Sequence, residues 1–567
     1  MNSINDKARA ASLPTLSKFA SYCFLLAIGG YLLLAQPSMA AEGINGNLVS
    51  VDWLEKNIKN ADVLVLDATP AHLYSAKHIP GAVNVDVFTF GGRENLAAEM
   101  EQRIQSWGVS KGKKIVIYDQ GGTYMATSLF FDLYYHGFPP TDLLVLDGGI
   151  AKWQAAGGVV TKEPTPAPKP GTFRVAKLKE DVRVRLPEFL VASGDPVKNA
   201  LVEALDPEQH FGSAKFFDRA GHIPNAIMAP SVDFFNADKT FKSPAEIRRM
   251  LTYLGIKPEQ QIYAHCGGGI AASVPFFAAK MMLNYPNVKL YKESQLEWLR
   301  DDRILPFWTY DAPNMQREKN WLASWGNPMM RMFGVTKMSV VDVRSAEAYQ
   351  LGHVPYAVNI PADVFKRHLA TPEKLADVLG AAGVDVAYEA VIVSDGGLNP
   401  SSALAYLLLE KLGQKRVSVL MDSAGDWGLV GVTLTKEATT VGPRKSPKDL
   451  AVPVTTYPAK VRPGIISIDR AGSQGPYPKV YIASGKTVPA NLLATGQDGK
   501  VIHVPYTDLV NADGTPKAAK DIWTILVKAG LTRFAEIICF ADDPGEAAAN
   551  YYILKLMGYP DVKVLVT

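Results

Sequence analysis

Short apolar runs of four or five residues recur along the chain, and each gives way to a longer stretch with helical spacing. Val63-Leu64-Val65-Leu66-Asp67, Lys114-Ile115-Val116-Ile117-Tyr118 and Leu143-Leu144-Val145-Leu146 read as strands, with helices over 95–107 and 125–135 between them. This alternation predicts parallel sheets covered by helices on both faces. In such sheets ligands bind beyond the carboxyl ends of the strands.

The pattern repeats. His78-Ile79-Pro80, a loop at Asp119 and Trp153 are followed, in the same order, by His222-Ile223-Pro224, Cys266 and Trp298, and then by His353-Val354-Pro355, Asp395 and Trp427. In each copy about 42 residues separate His from loop and about 33 separate loop from Trp, which marks an internal repeat of domain size. A weaker fourth copy has the strand Glu536-Ile537-Ile538-Cys539-Phe540, a helical run over 547–557 and a strand over 562–566. Ala541 stands there where Cys266 stands in the second copy. The expected division is a leader over 1–40 and domains over 41–162, 172–305, 338–441 and 459–567. The joins are a proline-rich spacer at 163–171, an ordered Trp- and Met-rich segment at 306–337, and a linker at 442–458. The His of each His-x-Pro element is expected to satisfy a backbone hydrogen bond rather than to bind metal.

Chemistry concentrates at Cys266. It closes the apolar strand Gln261-Ile262-Tyr263-Ala264-His265 and opens the loop Cys266-Gly267-Gly268-Gly269-Ile270-Ala271, with a helix-like run behind it. Three successive glycines are entropically costly and poorly explained by packing. They let backbone N–H groups converge on one point near a helix start, which favours an exposed thiolate. His265 adjoins the thiol, but neighbouring strand residues point to opposite faces, so it is not expected to be its base. A phosphatase loop of the Cys-x5-Arg type needs Arg where Ala272 stands.

Together these features resemble the rhodanese family. The residues that carry the resemblance are Lys77-His78-Ile79-Pro80-Gly81-Ala82, Leu146-Asp147-Gly148-Gly149-Ile150 with Trp153, Gly221-His222-Ile223-Pro224-Asn225-Ala226, the Cys266 loop, and Asp342-Val343-Arg344 with Gly352-His353-Val354-Pro355. The resemblance implies a tandem array of four rhodanese-like α/β domains, the fourth degenerate, and sulfurtransferase chemistry on a persulfide-forming Cys266. Domains without the cysteine would be inactive, with Asp119 and Asp395 at the equivalent loop positions solvated or turned into recognition surfaces. Cys-Gly-Gly-Gly-Ile-Ala is most like the 3-mercaptopyruvate sulfurtransferase loop, whereas thiosulfate enzymes usually place Arg or Lys after the cysteine. The second copy has Glu203-Ala204-Leu205 in place of Asp-x-Arg, so that arginine is missing. Gly267, Gly268, Gly269, Ile270 and Ala271 are the candidate cradle. Arg219 is the candidate contact to an anionic donor, with an ion pair to a nearby carboxylate as its alternative role.

The expected reaction passes sulfane sulfur from thiosulfate or 3-mercaptopyruvate to cyanide or a thiol, with no metal and no organic cofactor. The alternative is a non-catalytic sulfur carrier or binding array. A net charge of +3 over 567 residues, with no basic stripe, argues against nucleic acid. Lys7, Arg9 and Lys18 precede an apolar run over 19–35, and Ser38-Met39-Ala40 forms a small-x-small site, so the start reads as a secretory leader. An exported, periplasmic protein without a stable membrane span is expected, with an uncleaved N-terminal anchor as the alternative. Cys23 falls in the leader. That leaves Cys266 and Cys539, and a disulfide between these two is the less favoured reading.

Overall fold

The computed structural model describes residues 44–430, 433–446, 449–459, 461–462, 466–467, 475–489 and 499–566. The leader and Cys23 lie outside the described residues. Among those described, no helix is long and apolar enough to cross a membrane.

Four parallel sheets follow one another, as the alternation predicts. The second runs Arg183–Val184, Val288–Tyr291, Gln261–His265, Asn199–Glu203, Ala226–Met228 across its width, and the third and fourth repeat that order. The first adds an antiparallel two-residue strand, Ile44–Asn45, at its edge. The third sheet begins earlier than expected. Gln316–Arg317 pairs with Arg416–Leu420, so part of the 306–337 segment belongs to that domain. Residues after 162 are strapped along the first domain, with Gly171 N–H donating to Gln105 and Phe173 N–H to Val109.

The four sheets form two fused pairs. Helix Met125–Tyr135 of the first domain packs on helix Ser273–Phe277 of the second. Phe130 meets Phe277 and Phe131 meets Phe276 edge-on, each at 5.0 Å between ring centres. One hydrophobic core therefore runs from Ile115 and Ile117 of the first sheet to Ile262 and Ala264 of the second. Helices Pro400–Lys411 and Pro544–Leu556 join the third and fourth domains in the same way, with Tyr406 against Tyr552. Along Gln261–His265 the alternation of side chains gives Ile262 and Ala264 to that shared core. Tyr263 goes to a separate cluster with Phe189 and Trp298, where the ring of Phe189 also meets His265 edge-on.

The His-x-Pro elements are structural, as expected. His78, His222 and His353 each place Nδ1 2.9 Å from a backbone carbonyl, on Tyr74, His210 and Tyr349, and stack on the ring of that same residue.

Replacing Phe276 with Ala should destabilise the first pair of domains by about 3–5 kcal/mol, because the site lies in a core that cannot collapse without separating two sheets. Denaturant unfolding of purified wild type and variant measures it. A loss below about 1 kcal/mol would mean that the two domains do not share a core.

Candidate functional site

The loop 266–271 begins where the central strand of the second sheet ends. Its outer edge is held by the start of helix Ser294–Arg300. Cys266 N–H donates to Ser294 Oγ at 3.0 Å, and the carbonyls of Cys266 and Gly267 accept from Gln295 and Leu296 N–H at 3.1 and 3.0 Å. One loop amide meets the sulfur. Gly269 N–H lies 3.1 Å from Cys266 Sγ. The N–H groups of Gly267, Gly268, Ile270 and Ala271 donate to no acceptor among the described residues.

Gly269 has φ +79°, and a Cβ there would sit 1.8 Å from the Lys292 carbonyl oxygen, so only glycine fits. Lys292 is fixed in turn by a buried ion pair across the domain boundary, Nζ to Asp132 Oδ1 at 2.7 Å, with side chains 4% and 5% exposed.

The thiol is not exposed as the sequence suggests. Cys266 is 3% accessible. The Phe216 ring lies where a side chain on Gly267 would go, 3.3 Å from that Cβ position. On another side the first domain closes in. A methyl on Gly92 would lie 3.4 Å from the Gly268 carbonyl oxygen, and Ser273 Oγ lies 3.3 Å from the Tyr124 carbonyl oxygen. The Tyr124 phenol has its pKa raised by burial and then by the nearby charges of Cys266, Asp206 and Asp119, which puts it between the two loops. Burial by a neighbouring domain cannot be seen in a loop motif.

Arg219 is partly engaged within its own domain, with Nη2 left buried and unpartnered among the described residues. Its Nη1 donates to the Leu305 carbonyl at 2.8 Å and its guanidinium lies over Phe307, so it ties its own segment to the chain after helix Ser294–Arg300. It makes no ion pair with Asp218.

A buried polar cluster supports the loop from below. Gln295, whose N–H holds the Cys266 carbonyl, donates Nε2 to Glu203 Oε1 at 2.8 Å. Glu203 accepts from His210 Nδ1 at 2.5 Å, and His210 Nε2 meets Asp311 at 2.6 Å. Burial alone would depress the His210 imidazolium, but Asp311 and Glu203 outweigh it and hold its pKa above the ordinary value. Burial opposes the Glu203 carboxylate, and His210 holds its pKa down nonetheless. In the third domain Arg344 pairs with Asp342 at the matching place, so His210 supplies the charge that Leu205 cannot. The missing arginine was the signal that another cation must neutralise Glu203. His210, His222 and Asp311 offer ligand atoms within 4.8 Å of one another. The imidazoles stack nearly parallel, 5° apart, so their lone pairs do not converge, and both His210 nitrogens are already taken by carboxylates.

Burial, then the charge of His210, lowers the His222 pKa to about 4, and burial lowers that of His265 to about 4. His265 points away from the thiol, as the strand alternation requires.

The equivalent loops of the other domains are filled by their own side chains. In the first domain Asp119 follows Tyr118, which pairs with Asp67 as His265 pairs with Glu203. Its carboxylate accepts from Gly121 and Ala126 N–H at 2.8 and 2.9 Å, so it is buried and neither solvated nor a recognition surface. In the third domain the register puts Ser394, not Asp395, at the place of Cys266, because Val393 pairs with Asp342. Ser394 Oγ is taken up by the Gly397 carbonyl and by Asn399 Nδ2, each at 3.0 Å. Asp395 stands one residue on, exposed. Cys539 is a fully buried strand residue whose thiol pKa is pushed up by burial, and both it and Cys266 are free.

A family profile describing the rhodanese-like domain matches residues 50–156, 190–301 and 328–429. The chain is 31% identical over 271 residues to the sulfur carrier protein TtuD of Thermus thermophilus, covering 44% of this chain and 93% of that one. It is 28% identical over 289 residues to a Pseudomonas aeruginosa protein named "Probable 3-mercaptopyruvate sulfurtransferase", covering 46% and 97%. Among solved structures it is similar to SseA from Escherichia coli, at 24% identity and a TM-score of 0.40, covering 44% of this chain and 99% of that one.

Two outcomes follow from this geometry. Phe216→Ala should raise the rate of Cys266 alkylation by a bulky maleimide about tenfold or more, while Cys539 stays unlabelled until unfolding. Peptide mass mapping reads both, and equal rates in wild type and variant would show that Phe216 does not cover the thiol. The stability owed to His222 and His265 should fall as pH drops from 6.5 towards 4, because unfolded they take up protons that the folded protein refuses, while Asp147, raised to about 6 chiefly by burial, offsets part of that fall. The raised His210 works the other way: its contribution is complete below 6.5 and is lost only as pH rises, so it does not offset the acid decline. Glu203 adds to the loss only below 4.5. Urea midpoints across this range test the trend, and a flat profile would contradict it.

Proposed function

The chain belongs to the family of rhodanese-like domains, and on that premise we propose that it transfers sulfane sulfur through a persulfide on Cys266, from thiosulfate or 3-mercaptopyruvate to cyanide or a thiol. The observation that carries this reading is the inward Gly269 N–H 3.1 Å from Sγ, with four further loop amides unspent beside it. With thiosulfate, the thiolate attacks the sulfane sulfur. A new S–S bond forms, the old one breaks, and sulfite leaves with the electron pair. The loop amides then face the negative terminal sulfur, as donors preorganised for charge. Cyanide attacks that sulfur, thiocyanate departs, and the thiolate returns, which is a ping-pong cycle that balances without metal or redox partner.

The second reading is a sulfur carrier that loads and waits for a protein acceptor. The depth of Cys266 favours it, since 3% accessibility limits which acceptors reach the sulfur. We place the protein in the periplasm, on the basis of the leader-like start, with an N-terminal anchor as the alternative.

Incubation of the mature protein with thiosulfate should make the Cys266 peptide about 32 Da heavier, one sulfur atom, and cyanide should remove that mass as thiocyanate. Cys266→Ser should lose activity entirely and Cys539→Ser should keep most of it. Turnover in the Cys266 variant would overturn the assignment. Stoichiometric loading with slow release would select the carrier.

A further inference from the structure

We propose that Arg93, on the thiol-free first domain, receives the anionic end of the sulfur donor and sets the preference of the Cys266 site for donors ending in a carboxylate or sulfonate. This rests on the persulfide reading of Cys266 and adds the residue that selects its substrate.

Several cations of the second domain already have partners. Arg219 gives Nη1 to the Leu305 carbonyl and lies over Phe307, and its Nη2 is buried without a partner among the described residues. Lys292 is held by Asp132, and Arg183 pairs with Glu94 and Glu293. Phe216 fills the space beside Gly267 that a charged side chain following the cysteine would need. Glu203-Ala204-Leu205 has no arginine to offer.

The first domain brings one to the rim. Its segment 91–95 lies against the second domain on either side of Arg93. Gly92 lies beside the Gly268 carbonyl oxygen, where a Cβ would sit 3.4 Å from it. Glu94 accepts from Arg183 at 3.2 Å and from Arg185 at 2.9 Å. Arg183 also pairs with Glu293, the neighbour of the Ser294 that holds Cys266 N–H. Arg93 therefore stands between a residue beside the Gly268 carbonyl and one tied to Arg183 and Arg185. Its side chain is exposed and makes no ion pair or hydrogen bond among the described residues. A planar guanidinium fork matches two oxygens of a carboxylate or a sulfonate, which a lysine ammonium does not.

In this arrangement the sulfane sulfur enters towards Sγ and the amides of 267–271, and the charged end stays at the rim on Arg93. The acceptor step involves a loaded enzyme and no donor, so it is independent of Arg93. The two half-reactions separate the roles.

The test measures each half-reaction in full-length Arg93→Ala, Arg93→Lys and Lys215→Ala. Lys215, exposed and unpaired among the described residues, precedes Phe216 in the chain. Arg93→Ala should raise KM for thiosulfate about tenfold or more with a smaller change in kcat, and Arg93→Lys should recover part of that loss. Rising salt should weaken loading of the wild type more than of Arg93→Ala. Discharge of preloaded persulfide to cyanide should run at the wild-type rate. An unchanged KM in Arg93→Ala, slowed discharge, or the loss appearing in Lys215→Ala instead would overturn the inference and leave the persulfide chemistry standing. A wild-type protein that never loads sulfur would overturn both.

Discussion

The carbonyl oxygen of Lys292 leaves no space for a side chain at position 269, and the site is built outward from that contact. Gly269, held to glycine there, has a left-handed backbone, and its N–H meets Cys266 Sγ. Lys292 keeps its place through a buried ion pair to Asp132, which lies on the interface helix of the first domain. Removing one partner of such a pair strands a charge in the interior and costs about 3–5 kcal/mol, so the pair is a strong tether whatever its net contribution. The shape of the loop in the second domain thus depends on the docking of the first. A domain with no thiol of its own is part of the machinery around the thiol.

The other loops show what the same frame does with a different residue at its apex. Asp119 folds its carboxylate back onto two amides of its own loop, and Ser394 bonds within its loop as well. Asp119 and Ser394 each accept from the amide two residues on, Gly121 and Gly396 N–H, whereas the matching Gly268 N–H has no acceptor among the described residues. A carboxylate already seated among loop amides excludes a second anion by charge and by space. The pairing of domains supplies a reason to keep such copies. Each interface buries phenyl or phenol rings from both members, so deleting the first domain would expose the core of the domain that carries Cys266.

The repeat, the parallel sheets and the Cys266 loop were legible because they rest on local signals: apolar runs, a glycine cluster and spaced His-x-Pro elements. Two kinds of feature were not. Edge strands of two residues, such as Gln316–Arg317, carry no periodicity, so the third domain was expected to begin too late. Contacts made by another domain leave no trace in the motif they cover. Hence Cys266 was expected exposed, Arg219 was expected at the donor, and Phe216, Tyr124 and Gly92 went unnoticed. Spacing from the His-x-Pro element points to the neighbourhood of Asp395 without separating it from Ser394. Only the strand register separates neighbours one residue apart. His210 was within reach of sequence reasoning, since a buried carboxylate at Glu203 without its arginine demands a cation from elsewhere.

The depth of the thiol bears on which chemistry suits it. Empty, Cys266 is nearly enclosed by Phe216, by its own loop and by the first domain. A persulfide would carry the reactive atom outward by an S–S bond of about 2.05 Å, towards the amides that have no other acceptor. The loaded residue would then be more reachable than the free one. The amides would stabilise the terminal sulfur in its charged state without binding it covalently. Burial that discourages adventitious oxidation of a free thiol is compatible with release of a terminal sulfur one bond further out. On the proposed chemistry, an enclosed cysteine and an accessible sulfane sulfur are two states of one site.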